Sequence, residues 1–434
     1  MNRKGITCML ALTVLVLSAC GKTDTEVSSK EATAEKPKEP FTMVIHGGNF
    51  NEDFGVRFGK MLAEKFPHIK FEFIKGEKGE TIQDLALAGK IPDLIRNDPP
   101  VMKANYFDLH LEYDLRELIK TNKYDLKRFN SAFINEITDI GGNTGAIYGL
   151  PVSPYLPTVL YYNKDLFEKF GVPYPKDGMS WDELYELAKK MTRVDGGQVY
   201  RGFSASIANV TRDNPYSLPI VDSKVDGLSA PEVWTKIFNN LKRFYDIPSN
   251  TIGENGVKER DAFAAGNVAM QINQINVYLN LPENVKWDIV SVPYMPDAPK
   301  KMPIRGPSYW SITQQSKHKE EAFQVIAAML SDEVQMRDSR NGMPTTLNNK
   351  EIQDALGKDN PMFQNKNMNA VNYYPPADLP PRRASGLVNI SESSQATIIS
   401  EQLQKVARNQ ADVNTSLREA DERIRKLIEQ EKSK

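Results

Sequence analysis

Alternating apolar and polar residues near the start of the chain predict a strand, a helix and a second strand. Residues 41–45 and 69–73 alternate as strands do, and between them apolar residues recur at helical spacing from Phe54 to Phe66. A strand, a helix and a strand in this rhythm predict a βαβ unit, whose strands run parallel with a right-handed crossover. The pattern therefore favours an α/β fold.

Polar and small residues follow the first predicted strand. In an open α/β sheet a ligand lies beyond the carboxyl ends of the strands, which makes His46, Gly47 and Asn49 candidate binding residues. A tight turn is the alternative for the glycine, and a solvated loop position is the alternative for His46.

The same patterning returns in the middle of the chain. Residues 159–163 favour a buried strand because they are β-branched and aromatic, and 164–171 favour a short helix closed by glycine. Ser180 and Glu183 then predict a capping box, in which each side chain bonds the backbone amide of the other residue. The residues that follow predict a helix with one apolar face, over 181–191.

Short motifs in this region resemble a known family. The sequences YGLP (148–151), LYYNKDLFEKFGV (160–172) and SWDELYELAKKMT (180–192) resemble, in order and spacing, the signature of family 1 extracellular solute-binding proteins, the binding subunits of ABC importers. DAFAAGNVAM (261–270) and NGMPT (341–345) extend the resemblance. It implies a two-lobed, type II periplasmic-binding-protein-like fold, with a mostly parallel sheet in each lobe, hinge crossings and a ligand cleft between the lobes.

The resemblance also implies how the chain is shared between the lobes. Residues 41–153 with 293–330 are expected to form lobe 1, and residues 154–292 with 331–434 to form lobe 2. The proline-rich segment 151–157 fits the first hinge crossing, where a few positions absorb the rotation of closure.

Several candidate ligand contacts follow from the resemblance. The loop after the predicted strand 91–95 contributes Asn97 and Asp98, for which a turn or a helix cap is the alternative. Tyr155, in the crossing, is a candidate for stacking or for bonding hydroxyls, with core packing as the alternative. Tyr374 is a candidate stacking residue in a polar, aromatic loop before the terminal helix.

Asn214 and Tyr216 resemble an acidic-Pro-Tyr element that reaches the sugar in maltose-binding relatives. Here an asparagine stands in place of the carboxylate, and the adjacent Asp213 could supply it instead. The departure leaves the identity of the sugar open.

A second group of candidates lies around the two later strands. Asn273, Gln274 and Asn276 can donate and accept hydrogen bonds at once, which suits sugar hydroxyls, although solvated loop amides are the alternative. Either Tyr309 or Trp310 is expected to face the cleft and the other the core.

The first residues predict export and lipid anchoring. Arg3 and Lys4 precede a short apolar run, so residues 1–19 are typical of a signal peptide. The sequence LSAC (17–20) resembles a bacterial lipobox, which implies cleavage before Cys20 and lipidation of its thiol. A plain signal peptide with an incidental cysteine is the alternative.

Residues 20–40 are predicted to be the lipidated cysteine and a disordered tether, because they carry almost nothing that could be buried. The chain has two cysteines, Cys8 and Cys20, so the exported form would retain only the acylated one and could form no disulfide.

Composition narrows the function classes. The 434 residues are enough for two lobes or more, and a net charge of −1 gives no basic footprint for nucleic acid. The sequence has no HExxH or GxSxG motif, and four scattered histidines are poor material for a metal cluster. We therefore expect no metal, no cofactor and no enzymatic activity.

The leading hypothesis is a lipid-anchored, monomeric binding subunit that captures a sugar or oligosaccharide by hinge closure and delivers it to an ABC permease. Its expected location is extracytoplasmic, on a membrane reached through Cys20, with a Gram-positive surface favoured. A peptide, a polyamine or presentation to a sensor is the alternative with the same fold. A secreted glycan hydrolase is the alternative of another class, and it would need two carboxylates about 5–10 Å apart across a sugar.

Overall fold

The computed structural model describes residues 39–47, 54–384 and 386–433. The predicted signal peptide, Cys20 and most of the predicted tether lie outside these residues. Within them, the helices are too short or too polar for any one to cross a bilayer.

The strands of the described chain, in order, are β1 (Phe41–His46), β2 (Ile69–Ile74), β3 (Leu94–Asn97), β4 (Leu150–Pro151), β5 (Leu156–Asn163), β6 (Arg193–Asp195), β7 (Gln198–Tyr200), β8 (Ser204–Ala205), β9 (Met270–Gln274), β10 (Trp287–Ser291), β11 (Ile304–Arg305) and β12 (Tyr309–Ile312). The α-helices are α1 (Phe54–Lys65), α2 (Ile82–Leu87), α3 (Pro99–Met102), α4 (Arg116–Thr121), α5 (Ser131–Ile140), α6 (Lys164–Phe170), α7 (Trp181–Met191), α8 (Ile207–Arg212), α9 (Pro231–Tyr245), α10 (Gly256–Arg260), α11 (Lys319–Met329), α12 (Asp332–Arg340), α13 (Lys350–Asp354), α14 (Glu392–Ala407) and α15 (Val413–Lys432).

The first lobe is built on a sheet with the strand order β2-β1-β3-β12-β4. Strands β1 and β2 are parallel, with Phe41 opposite Ile69, which confirms the predicted βαβ unit. Strand β3 is parallel to β1, whereas β12 is antiparallel to β3 and to β4. Apolar residues of α1 and α11 pack on this sheet and form one core with it.

The second lobe is built on a sheet with the order β10-β5-β9-β8, and β11 pairs with the start of β5. Three of its four strand pairs are antiparallel, and only β8 and β9 run parallel. The two-lobed α/β fold is confirmed, but the expectation of a mostly parallel sheet in each lobe is wrong for this lobe. Strand β5 arrives from the crossing rather than from a βαβ connection, so it runs against the strands on both sides of it.

Local signals in the second lobe are confirmed. Ser180 accepts from the backbone amide of Glu183, whose side chain accepts from Ser180 in return, so α7 begins with a full capping box. Gly171 closes α6 in the left-handed region at φ 63°. The terminal helix is interrupted, because Asn409 has a positive φ of 56° and Asp412 caps a new helix.

Core packing differs from the predicted division of the chain. Met302 and Ile304 pack in the core of the second lobe, although 293–330 was assigned to lobe 1. Val334, Leu347 and Ile352 pack in the core of the first lobe, although 331–434 was assigned to lobe 2. We therefore propose that the chain returns to the first lobe between β11 and β12 and stays there through α13.

A charged candidate binding site between the lobes

The end of β1 holds two of the predicted site residues. His46 is buried, with Nε2 2.9 Å from the Glu80 carbonyl, and burial lowers the pKa of its imidazole. The Gly47 amide donates to the Ile74 carbonyl at 2.8 Å, and a Cβ on Gly47 would lie 2.6 Å from the Phe54 ring, so only glycine lets α1 approach this closely. Asn49 lies outside the described residues.

The end of β3 holds a buried amide. Asn97 is 1% exposed, and neither its Oδ1 nor its Nδ2 has a hydrogen-bond partner in the described part of the chain. In the sheet Asn97 lies opposite Tyr309, so the two side chains leave on the same face. A buried amide without partners costs free energy, which singles out this strand end as a place suited to a polar ligand.

Tyr309 connects that face to a carboxylate on α5. Its hydroxyl oxygen lies 2.8 Å from the Phe133 carbonyl and 2.6 Å from Glu136 Oε2. Burial raises the pKa of Glu136 to about 7, although the Tyr309 hydrogen bond and the charge of Arg382 both oppose the shift. A protonated Glu136 can donate to the Tyr309 hydroxyl oxygen while that hydroxyl donates to the Phe133 carbonyl, so the neutral acid is compatible with both contacts.

An ion pair joins the two sheets. Asp98 follows β3 of the first lobe, and Arg305 lies on β11 of the second; their side chains form a close hydrogen-bonded pair. The next residue, Gly306, lies so close to Glu136 that a Cβ there would be 2.5 Å from Oε2. Glycine at 306 therefore lets the returning chain pass beside this carboxylate.

The amides on β9 are bonded among themselves and to a second ion pair. Arg212 donates two hydrogen bonds, of 2.7 and 2.6 Å, to Asp213, and Gln274 donates to the same aspartate at 3.2 Å. Asn273 accepts from Asn209 at 3.0 Å. The described side chain of Asn276 is exposed and lies beyond the end of the strand.

The side chain of Asn214, in the acidic-Pro-Tyr-like element, bonds the protein's own backbone rather than being left for a ligand. Asn214 is buried, donates to the carbonyls of Thr211 and Leu218, and accepts from two backbone amides. Its amide is therefore used in full to shape the loop. The Tyr216 hydroxyl donates to Asp297 at 2.6 Å.

Among the predicted aromatic contacts, Tyr155, Tyr309 and Trp310 are buried, and Tyr374 is half-buried. Trp310 is fully buried and packs at 5.2 Å on Phe54 in the core of the first lobe, whereas Tyr309 turns its hydroxyl to Glu136. Tyr155 is 4% exposed and packs at 5.3 Å on Phe133, and burial raises its pKa. Tyr374 is half-buried beside Tyr373, with their rings 4.8 Å apart.

Five further residues complete the site, and the sequence did not single them out as binding residues. Together with Asp98 and Asp213 they form what we call the charged cluster: Asp98, Glu136, Arg212, Asp213, Arg305, Arg382 and Glu392. Its members come from both lobes and are more than 290 positions apart at the extremes, so no local pattern could have connected them. The adjacency of Arg212 to Asp213 was the one usable signal.

Glu392 shows how these groups act on one another. Its side chain is exposed to solvent, yet desolvation by the protein around it raises the pKa of its carboxyl, as expected for a group that lines a recess. Arg382, Arg212 and Arg305 all act in the opposite direction. The described residues contain no group of His, Cys, Asp and Glu side chains arranged to hold a metal ion.

Two α/β lobes joined by several crossings, with polar groups of both lobes facing each other, define the class of two-lobed periplasmic binding proteins. A model of the bacterial extracellular solute-binding protein family matches residues 49–336, and the chain belongs to that family. The family is extracytoplasmic, and its members are binding proteins of ABC transporters rather than enzymes.

Solved structures and curated relatives agree with this assignment. A cyclic α-maltosyl-1,6-maltose binding protein from Arthrobacter globiformis has a TM-score of 0.68 at 14% identity, and an ABC substrate-binding protein from Listeria monocytogenes in complex with cycloalternan has 0.66 at 18%; each comparison covers 90% of this chain and 99% of the other. An uncharacterized ABC transporter extracellular-binding protein from Pyrococcus horikoshii is 25% identical over 44% of both chains. A putative binding protein from Brucella abortus is 26% identical over 49% of this chain and 54% of its own length. The chain spans about half the length of these curated relatives.

Proposed function

We propose that this protein is the lipid-anchored substrate-binding subunit of an ABC importer. It captures a sugar or oligosaccharide between its lobes by hinge closure and delivers it to the permease. The observation that carries the proposal is the ion pair between Asp98, which follows β3, and Arg305 on β11, because it brings polar groups of both lobes together next to the buried amide of Asn97.

The chemistry of these groups suits hydroxyl recognition. Neither the oxygen nor the NH2 group of the Asn97 amide has a hydrogen-bond partner among the described residues, and Asp98 and Glu136 offer carboxyl oxygens in the same region. Carboxylates and guanidiniums form stronger hydrogen bonds than neutral groups do. Two structurally similar proteins are described with cycloalternan and with cyclic α-maltosyl-1,6-maltose, both oligosaccharides, which supports the same ligand class here.

Anchoring and delivery belong to the same proposal. Cys20 would carry the lipid, residues 21–40 would act as the tether, and the monomer would meet its permease at the membrane surface, on a Gram-positive cell in the favoured case. Metabolic labelling with a radioactive fatty acid tests the anchor, because the native chain should incorporate label and Cys20→Ser should not.

Ligand-induced stabilisation tests the binding function. A ligand at a hundredfold excess over its Kd adds about 2.7 kcal/mol to the free energy of unfolding, so a saccharide panel should raise the Tm of the purified protein. Peptides and polyamines belong in the same panel. If peptides or polyamines raise the Tm and no saccharide does, the sugar assignment is refuted, and the protein is a binding protein for another solute.

A glycan hydrolase is the second candidate because the carboxyls of Glu136 and Glu392 both have raised pKa values, and the charge of Glu392 contributes to the raised pKa of Glu136. Such a pair could in principle supply an acid and a base. We expect no turnover of chromogenic glycosides by the native protein. Turnover that disappears in both Glu136→Gln and Glu392→Gln would replace the binding proposal with an enzymatic one.

A further inference from the structure

The chain that returns from the second lobe passes the end of β3. Arg305 on β11 pairs with Leu156 at the start of β5, and Tyr309, a few positions later, lies opposite Asn97 in the first sheet. Residues 305–308, which we call the returning link, therefore run from one sheet to the other beside Asn97.

Two residues of the returning link contact the surroundings of Asn97. Arg305 forms a close ion pair with Asp98, the residue that follows Asn97. Gly306 lies so close to Glu136 that a Cβ there would be 2.5 Å from Oε2, and the same Oε2 is 2.6 Å from the hydroxyl oxygen of the tyrosine opposite Asn97. The link is therefore held against the first lobe at two places around one strand end.

Exposure to solvent falls from the returning link towards the amide. The side chain of Arg305 is 34% exposed and that of Asp98 is 17% exposed, whereas Asn97 is 1% exposed. A ligand that arrives from solvent therefore meets the ion pair before it meets the amide. Neither polar atom of that amide has a hydrogen-bond partner among the described residues, and a buried amide in this state costs free energy.

We propose that Arg305 closes the binding site at Asn97 until a ligand displaces it. Its guanidinium holds Asp98, and a ligand hydroxyl replaces it at that carboxylate and reaches the amide once Arg305 moves away. The inference rests on the proposed function, because it concerns how a sugar enters the same site. Only molecules with an open pair can bind, so the pair lowers the apparent affinity by the fraction that is open.

A thiol at position 97 reports whether the site is open. The reporter protein carries Asn97→Cys together with Cys8→Ser and Cys20→Ser, and its reaction with the aromatic disulfide DTNB is followed by absorbance. Arg305→Met should raise the rate of this reaction about fivefold to fiftyfold, the range for a partly buried, charge-assisted hydrogen bond. Arg305→Lys keeps the cation and should restore most of the slow reaction.

The partner residue tests whether the ion pair itself is responsible. Asp98→Asn should raise the rate as Arg305→Met does, and the double variant should react no faster than either one, because both changes remove the same interaction. Sodium chloride at about 1 M should speed the reaction of the reporter protein, since salt screens a partly exposed pair, and should leave the rate in Arg305→Met unchanged.

Two controls separate local opening from unfolding. Arg418→Met breaks an exposed pair on α15 and should leave the rate unchanged. A second reporter, Ala322→Cys in the core of the first lobe, should stay unreactive in every variant. An unchanged rate in both Arg305→Met and Asp98→Asn overturns the inference, and a rise that appears equally at position 322 also overturns it, because it reports general unfolding. No saccharide is used, so the sugar-binding proposal is judged separately by the Tm panel.

Discussion

At the scale of single residues, the site is defined by side chains whose bonding or ionisation the fold leaves incomplete. Asn97 is a buried amide without hydrogen-bond partners among the residues that the structure describes, and burial raises the pKa of the Glu136 carboxyl to about 7. Native proteins rarely retain such groups in a core. Asn97 ends β3, and Glu136 on α5 lies against Gly306, the residue after Arg305. Both groups are therefore placed to bind a ligand in the proposed function.

Replacing Asn97 separates binding from stability. Asn97→Ala removes no hydrogen bond from the unliganded protein, so its free energy of unfolding should change by less than about 1 kcal/mol, the amount at stake in an ordinary hydrogen bond. Affinity for the best saccharide in the panel should fall roughly tenfold. Urea unfolding and calorimetric titration measure the two effects; a large loss of stability with unchanged affinity would mark Asn97 as structural.

Glu136 should make stability depend on pH. Its pKa is about 7 in the folded protein against 4.5 for the ordinary group, so between these values the folded state binds more protons than the unfolded state. The free energy of unfolding should therefore fall as pH rises from about 4.5 to about 7, by roughly 1–3 kcal/mol. Glu136→Gln should remove that part of the fall.

Urea unfolding at pH 5 and pH 8 measures this difference for the native protein and the variant. Glu422→Gln, which changes an exposed acid on α15, is the control and should keep the native pH dependence. The same slope in Glu136→Gln and in the native protein would show that another group is responsible.

The rule that ligands lie beyond strand ends suggested His46, and the family resemblance suggested Asn97 and Asp98. In the structure His46 ends β1, Asn97 ends β3 and Asp98 follows it, so these three positions could be placed from the sequence. Neither argument could suggest Glu136, Arg382 or Glu392, because these lie on a helix, a loop and a helix start that are far apart in the sequence. The family resemblance also suggested Asn214, but its side-chain amide is hydrogen-bonded to backbone groups of its own loop.

At the scale of elements, the first crossing is held by a buried polar network. Arg57 on α1 donates to Asp338 on α12 at 2.9 and 2.7 Å and to the Ser153 carbonyl at 3.1 Å. The Ser153 hydroxyl also contacts Gln335, and the Thr346 amide donates to that hydroxyl at 3.2 Å. Two helices of the first lobe therefore fix the segment from which the chain enters the second.

Removing one partner of this network should be costly. The Arg57 and Asp338 side chains are 6% and 4% exposed, so Arg57→Met leaves the buried carboxylate with Arg337, which bonds only its other oxygen at 2.9 and 2.7 Å. We expect a loss of about 2–4 kcal/mol in the free energy of unfolding, somewhat below the cost of a buried charge with no partner. Arg418→Met, which breaks an exposed pair, should cost no more than about 0.5 kcal/mol; equal effects of the two changes would contradict the role given to the network.

Elements governed by local chemistry were predictable, and their pairing was not. The capping box at Ser180 and the βαβ rhythm of β1, α1 and β2 follow from neighbouring residues. The antiparallel direction of β5 depends on the route of the whole chain, and no periodicity within 156–163 encodes it. The break between α14 and α15 escaped prediction because Asn409 takes a left-handed conformation without a glycine or proline to mark it.

At the scale of the whole molecule, the proposed function depends on the relative motion of the lobes. A ligand can favour closure only if it bonds the closed form more strongly than the open one. The charged cluster provides such bonds, since Glu136 and Asp98 belong to the first lobe whereas Arg212, Arg382 and Glu392 belong to the second. Which surfaces move together depends on whether residues 331–354 belong to the first lobe or to the second.

Fluorescence energy transfer can test closure and the division of the chain together. With Cys8 and Cys20 both replaced by serine, cysteines at Lys60 and Arg418 place one dye on each lobe, at exposed positions on α1 and α15. Ligand should raise the transfer efficiency of this pair. A second pair, at Lys60 and the exposed Lys350, should show no change, because α13 packs on the first lobe. A ligand-dependent change in the second pair would instead support the division that sequence alone suggested, with α13 moving as part of the second lobe.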